Sequence, residues 1–384
     1  MLEYRLLISE PSMKSFPGYF KYFIILSSIV LTGYVLILGK SILSPILAAL
    51  IIALLLRPLS AKIESIKASR GASSILSIVV VIIVLAGFFY FLSTQVGSIS
   101  NDMKSIGARF NELIDRGYGW METTFGINQQ EQTIYIKDSI EMFMQNSSSA
   151  FTQVISATAD FFTSFFLFLI TLFFILYYRK FFMAFLYKLF NVEDHSIVGS
   201  TLKKIETVVR SYILGLFSVI IIVAVLNSVG LMLLGIQHAI FFGVLASVLT
   251  IIPFIGIFIG SLLPILFALV TKDSLWYPVG VAALFWGIQF LEGNFITPNI
   301  VGGRVSINPF AAIIALFFGG MIWGALGMIL SIPMLAIVKV ICDEVKPLQP
   351  FGFLLGTPPD EAKIKYNKIH FPGIIKRRFI KIKT

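Results

Sequence analysis

Charge is scarce in this chain, and so are the residues that metal or disulfide chemistry needs. Asp, Glu, Lys and Arg make up 13% of the 384 residues, against about 25% in an ordinary soluble domain. The single cysteine, Cys342, excludes an internal disulfide and leaves the redox compartment unassigned. The three histidines, His195, His238 and His370, fall in separate stretches, so neither a zinc spacing nor a Cys/His dyad can be built. Gly-x-x-x-x-Gly-Lys-Ser/Thr is absent, which argues against nucleotide-driven pumping, and Gly-x-Ser-x-Gly is absent too. No metal, no cofactor and no enzymatic activity are expected. Residues 1–18 carry Glu3, Arg5, Glu10 and Lys14 and lack an apolar region with a small-residue cleavage site. The first apolar block is therefore read as an uncleaved helix.

What the chain has instead is oil. Apolar residues reach 57%, above the about 45–50% of soluble domains, and they cluster in runs. Eight blocks stand out: 22–39, 42–56, 74–92, 160–178, 212–234, 239–270, 276–291 and 310–341. Crossing a bilayer core of about 30 Å takes about twenty helical residues. The second block is short, while the sixth and eighth are too long for one straight crossing. Pro253, Gly256, Gly260 and Pro264 interrupt the sixth; Gly319, Gly320, Gly324, Gly327 and Pro333 interrupt the eighth. Both should fold back as broken or re-entrant hairpins. The Gly-x-x-x-Gly pairs Gly256/Gly260 and Gly320/Gly324 would let helices approach closely. The expected fold class is an all-α polytopic membrane protein with a small helical extracytoplasmic insert. Its parts are membrane helices (1–92), the insert (93–158), a transport core (159–341) and a basic cytoplasmic tail (342–384).

The net charge of +10 is distributed in a way that fits lipid and disfavours nucleic acid. Arg57, Lys62, Lys67 and Arg70 follow the second block, and Arg179, Lys180, Lys188, Lys203, Lys204 and Arg210 follow the fourth. The tail from Lys346 onward ends in the Lys376-Arg377-Arg378 cluster. Short basic segments beside apolar spans belong on the cytoplasmic side, and such a tail is attracted to anionic headgroups. Residues 93–158 hold seven acids against four bases and should face outward. With two hairpins in the count, both termini lie inside. In the insert, Met103, Ile106, Phe110, Leu113 and Ile114 follow helical spacing, as do Ile136, Ile140 and Phe143, with a turn-rich stretch 117–130 between them. Their apolar stripe needs a surface, either each other or a neighbouring subunit. A homo-oligomer is the expected assembly.

A polar path remains. Glu292 closes the seventh block with Gln289 and Trp286 three and six residues before it, near one helical face. A carboxylate inside the membrane costs about 2.5–3.5 kcal/mol and calls for a partner or a proton; nearer the interface it is a solvated helix end. Arg210 and Arg304 are the candidate partners, although Arg210 alone reads as a snorkelling anchor. Asn227, set among Val, Leu and Ile, must hydrogen-bond to something, either another helix or a solute. The run Gly293 to Arg304, with Asn294, Thr297, Pro298 and Asn299, is too rich in breakers to continue as helix. Its amides and free carbonyls suit a polar solute or monovalent cation, with a plain re-entrant loop as the alternative.

At these residues the sequence resembles the autoinducer-2 exporter family, the PerM-like permeases. The motifs are Ile-Ile-Pro253-Phe-Ile-Gly256 with Gly260 and Pro264; Gln289-x-x-Glu292-Gly293-Asn294 leading to Pro298-x-Ile-Val-Gly302; Val305-x-Ile-Asn-Pro309; the run Gly319-Gly320-x-x-x-Gly324-x-x-Gly327 before Pro333; and Arg210-x-Tyr-x-x-Gly215. Block order and the insert after block three agree as well. The resemblance implies a multi-spanning inner-membrane transporter, in a family associated with export of autoinducer-2 and with sodium–proton antiport. Asn299 stands where many relatives carry a basic residue, which leaves the substrate open. The expected function is secondary transport of a small polar solute through a path near Arg210, Asn227, Pro253, Gly256, Gln289, Glu292, Asn294, Pro298, Arg304, Gly320 and Gly324, with protons at Glu292 as a possible coupling. The alternatives are a sodium(lithium)/proton antiporter and, from another class, a membrane scaffold acting through its outer helices.

Overall fold

Each apolar run satisfies its own backbone by becoming a helix, which is what a bilayer demands of a segment that water cannot solvate. The structure is a computed structural model that describes residues 18–125, 161–253, 255–302 and 306–357. Among the described residues no strand occurs beyond an isolated bridge between Ile307 and Gly356. Helix α1 spans Gly18–Leu38, α2 Lys40–Ser65 and α3 Arg70–Phe125. Helix α4 (Phe161–Tyr177) is bent by 67° against α5 (Arg179–Lys188). There follow α6 (His195–Leu233), α7 (Ala239–Leu249), α8 (Ile255–Thr271), α9 (Trp276–Leu291), α10 (Pro309–Glu344) and the short α11 (Gln349–Leu355). All eight predicted blocks are helical. Among the described residues, five helices are long and apolar enough by length and composition to cross a membrane, α10 being counted at its full length, or six if the bent α4–α5 pair is one span.

Two expectations about helix limits need correction. The turn-rich stretch 117–130 is not a turn as far as it is described: α3 runs unbroken for 56 residues to Phe125, through Gly117 and Gly119. Each glycine costs a helix only about 1 kcal/mol, and no proline interrupts the run. Ile136, Ile140 and Phe143 lie outside the described residues. Helix α6 starts at His195, well before the apolar block that marked it.

Both long blocks do fold back. In α10, Ser331 Oγ donates to Ala315 O at 2.8 Å, although sixteen residues of straight helix would separate them by about 24 Å. The reversal sits at Gly324, with φ 64° and ψ −140°, a conformation essentially closed to side-chain-bearing residues. A Cβ on Gly319 would lie 2.4 Å from Gly327 O, so these two glycines are where the arms touch. The Gly320/Gly324 spacing therefore misassigned the contact: Gly320 faces the Met328 side chain and Gly324 makes the turn. Likewise α7 and α8 meet across the break that follows Leu249, where a Cβ on Gly256 would lie 1.6 Å from Leu249 O and one on Gly260 2.8 Å from Ala246 Cα.

Helix α6 is the hub, packing against α2, α7, α9 and α10. Ile51, Val209, Ile213, Trp323 and Leu330 fill the seam between α2, α6 and α10, while Leu231, Phe241, Phe242, Ala268 and Val281 fill that of α6 to α9. Ion pairs gather at the N-terminal end of α6: Arg57 with Glu206, Lys204 with Glu344, and Arg179 with Glu64. The opposite end holds Arg109 against Asp273 at 2.9 Å and Ser98 Oγ 3.4 Å from His238 Nδ1. The α7–α8 hairpin therefore enters from one end of α6, and the α10 hairpin has its base at the other.

Candidate functional site

Close packing of α7 on α6 is what buries Asn227. A Cβ on Gly243 would lie 2.6 Å from the backbone nitrogen of Ser228, so only glycine permits this approach. Asn227, 2% exposed, donates from Nδ2 to Ser247 Oγ at 3.1 Å, and Ser247 passes its own proton to Gly243 O at 2.7 Å. Asn227 Oδ1 is buried and has no hydrogen-bond partner among the described residues. The amide thus joins two helices on one side and keeps an acceptor open on the other.

That acceptor belongs to a side chain lining a small pocket of about 20 Å³, whose polar walls are Asn227, Thr250 and Gln289 and whose apolar walls include Val223, Ile257 and Phe285. Thr250 comes from the α7–α8 break. There, Ile252 N–H donates to Leu249 O at 2.9 Å, so the carbonyl four residues before Pro253, which proline cannot serve, is already occupied. Pro253 and Gly256 shape the turn; neither lines the pocket.

Gln289 leads from the pocket to Glu292. Its Nε2 donates to Glu292 Oε2 at 2.7 Å, and Thr297 Oγ1 donates to Glu292 Oε1, so each carboxylate oxygen is held by an uncharged donor. Trp286, on the neighbouring turn, is exposed and stacks on Phe290. The expected interruption at Gly293 to Arg304 is resolved differently from the sequence reading. The chain stays helical but widens into two π turns, Glu292–Ile296 and Pro298–Gly302, with Thr297 N–H donating to Glu292 O. π turns tolerate a residue such as Pro298 that cannot supply its N–H, and they concentrate at functional sites. Each π turn is braced by an asparagine: Asn294 Nδ2 donates to Phe290 O at 2.9 Å and Asn299 Nδ2 to Phe295 O at 2.7 Å. These amides are turned to their own backbone rather than offered to a solute.

The remaining predicted residues do not join this group. Arg210 lies on the exposed stripe of α6 and makes no ion pair with Glu292. Arg304 is outside the described residues, and Gly320 and Gly324 sit at the tip of α10. Ser247 and Thr250 were missed, and Thr297 was named only as part of the breaker-rich run, not as a partner of Glu292. Residues five apart in an α-helix face about 140° away from one another, so only the π turn brings Thr297 to Glu292, and nothing in α-helical spacing signals it. Ser247, among apolar neighbours on a block also holding Gly243, was the readable sign.

Comparison with known proteins settles the family. The sequence profile described as AI-2E family transporter matches residues 26–346. The chain belongs to the AI-2E transporter family. The matched region takes in α1 from residue 26, both hairpins, the Asn227 pocket and the π turns, and stops before α11. YueF of Bacillus subtilis is 25% identical over 289 residues, covering 69% of this chain and 74% of that protein. The AI-2 transport protein TqsA of Escherichia coli is 30% identical over 123 residues, covering 32% and 36%. A transport-family relative from Borreliella burgdorferi is 36% identical over 137 residues, and there the chain spans 37% of the relative's length. Membership of this family, with five or six helices among the described residues long and apolar enough to cross, makes this a multi-pass membrane protein.

Proposed function

We propose that this chain is a secondary transporter of the bacterial inner membrane that moves a small polar solute past the Gln289–Glu292–Thr297 cluster, with the Asn227 pocket as its narrowest point. One observation carries the reading: a carboxylate and an orphan amide carbonyl lie along one line of contacts, Asn227 to the pocket to Gln289 to Glu292, at the broken tip of a hairpin. Packing alone has no use for a buried acceptor that no protein group meets among the described residues; left bare it would cost about 1–3 kcal/mol, so it suits a polar ligand or water. Discontinuous helices that entrap polar groups in the mid-membrane are how secondary transporters build solute sites. Movement of the α7–α8 hairpin against α6 and α9 is the step that opens the pocket, because Thr250 is the wall that this hairpin contributes.

The end of α6 that collects Arg57, Arg179, Lys204 and Lys339 is the cytoplasmic one by the charge rule, which puts the base of the α10 hairpin and α11 inside as well. Glu292, whose two oxygens accept from Gln289 and Thr297, is the group through which a proton couples to flux. Since TqsA carries AI-2 transport in its name, uncharged polar signalling molecules of that kind head the panel of solutes. The test is uptake and efflux by the purified chain in liposomes across small polar metabolites and monovalent cations. A saturable flux of one solute supports transport; none across the panel, with correctly inserted protein, rules it out. Glu292→Gln should keep flux but remove its pH dependence. Everted vesicles challenged with sodium or lithium separate cation–proton antiport from solute export.

A further inference from the structure

We infer that the pocket at Asn227 is a binding site for one water molecule that locks the α7–α8 hairpin to α6 and α9; the inference rests on the transport reading for its role as a gate, but not for the water. Three observations converge. Asn227 Oδ1 is buried with no partner among the described residues, and native structures explain nearly every such group by a ligand or an ordered water. The pocket measures about 20 Å³, above the roughly 10–15 Å³ that one water needs and too small for a solute of several heavy atoms. The polar walls also match water in donors and acceptors. Thr250 Oγ1 spends its proton on Ser247 O at 2.7 Å, leaving lone pairs. Gln289 Nε2 gives one proton to Glu292 Oε2 and has a second N–H left. One water then donates to Asn227 Oδ1 and Thr250 Oγ1 and accepts from Gln289, so every bond has one donor and one acceptor.

The consequence is mechanical. The three side chains come from α6, from the hairpin break and from α9, elements that part when the hairpin moves. While the water is bound, the pocket transmits nothing larger, and the hydrogen-bond chain runs unbroken from Gly243 O through Ser247, Asn227, the water and Gln289 to Glu292. Displacing the water releases the hairpin.

The test uses the full-length chain in lipid nanodiscs. A structure at a resolution that shows ordered water should contain a density peak within hydrogen-bonding distance of Asn227 Oδ1; a dry pocket overturns the inference. In a Cys342→Ser background, Val223→Cys places a thiol in the pocket wall, and its rate of modification by a membrane-impermeant methanethiosulfonate reports opening. Thr250→Val removes one partner of the water and should speed labelling about five-fold, the factor given by one ordinary hydrogen bond of about 1 kcal/mol. Thr250→Ser keeps the hydroxyl and should restore the slow rate. Equal rates in all three backgrounds overturn the gate. A dry pocket in a chain that still carries solute discards the water and leaves transport standing; a water peak in a chain that moves no solute does the reverse.

Discussion

Replacing Gly256 by alanine should unseat the α7–α8 hairpin. The added Cβ would fall 1.6 Å from Leu249 O, 2.2 Å from its carbonyl carbon and 2.8 Å from Thr250 N. All three are backbone atoms on the opposing arm, so no rotamer change relieves the contact and the arms must part by more than an ångström. Overpacking of this kind costs about 1–3 kcal/mol, and a backbone obstacle puts this site at the upper end. The built-in control is Gly287 on α9, where an added Cβ meets nothing within 4 Å. There the helix gains the about 0.5–1 kcal/mol by which alanine exceeds glycine. Thermal unfolding in nanodiscs, followed by tryptophan fluorescence, should show Gly256→Ala melting several degrees below wild type and Gly287→Ala at or above it. Because Thr250 moves with the arm, Gly256→Ala should also lose transport. A Gly256→Ala protein that melts with wild type and transports normally would mean the arms are not in contact, and the re-entrant reading of residues 239–271 would fall with it.

Further substitutions separate the remaining elements. Gly324→Ala has open space around its new Cβ but must hold φ 64°, a strain of about 1–3 kcal/mol; the measurement is the same melting curve, with loss expected despite the absence of any clash. Arg179→Ala removes donors to Ser60 Oγ and to Glu64, both partners being half-buried or deeper, and should cost about 1.5–3 kcal/mol, the worth of a charged hydrogen bond. A Glu64→Gln, Arg179→Ala double mutant should recover part of that loss in the same assay. Asn308→Ala deletes the N-cap bond to Ala311 N–H at 2.7 Å and the bond to Leu354 O at 2.5 Å. It should destabilise by about 0.5–2 kcal/mol and expose 349–355 to limited proteolysis, since that residue ties α11 to the start of α10.

What the sequence made legible follows from what the bilayer punishes. Apolar runs had to be helices, and runs too long for one crossing had to turn at Pro253 or among the α10 glycines, so fold class and both hairpins were readable. Partners far apart in sequence were not: the Arg57–Glu206 pair spans 149 residues, and charge alone does not say which acid a base will meet. The buried serines Ser60 and Ser73, whose hydroxyls lie 2.7 Å apart, were likewise invisible, because a serine inside a helix can as easily return its proton to its own backbone. Of the candidate site, Asn227, Gln289 and Glu292 were found because each is an expensive residue in oil. Their connection was not, since it runs through Thr250 at a break and Thr297 across a π turn, positions whose neighbours are set by departures from α-helical spacing.

The two Gly-x-x-x-Gly pairs show why spacing alone misleads in a re-entrant segment. In a straight helix, glycines four apart share a face and mark where a second helix can approach. In a hairpin, the arms touch at residues about equally far from the apex, within a residue or two, so the decisive quantity is where the chain reverses. Around 253, that rule selects Gly256 against Leu249 and Gly260 against Ala246; both motif glycines are contacts. Around Gly324 it selects Gly319 against Gly327 and Gly320 against Met328, and the motif's second glycine becomes the apex itself. Identical spacing thus serves close approach in one hairpin and left-handed backbone in the other. The two alanine substitutions should therefore fail for different reasons: at Gly256 enlarging the opposing space by Leu249→Gly cannot help, because the obstacle is a carbonyl, while at Gly324 only another glycine, or a residue of inverted chirality, restores the turn.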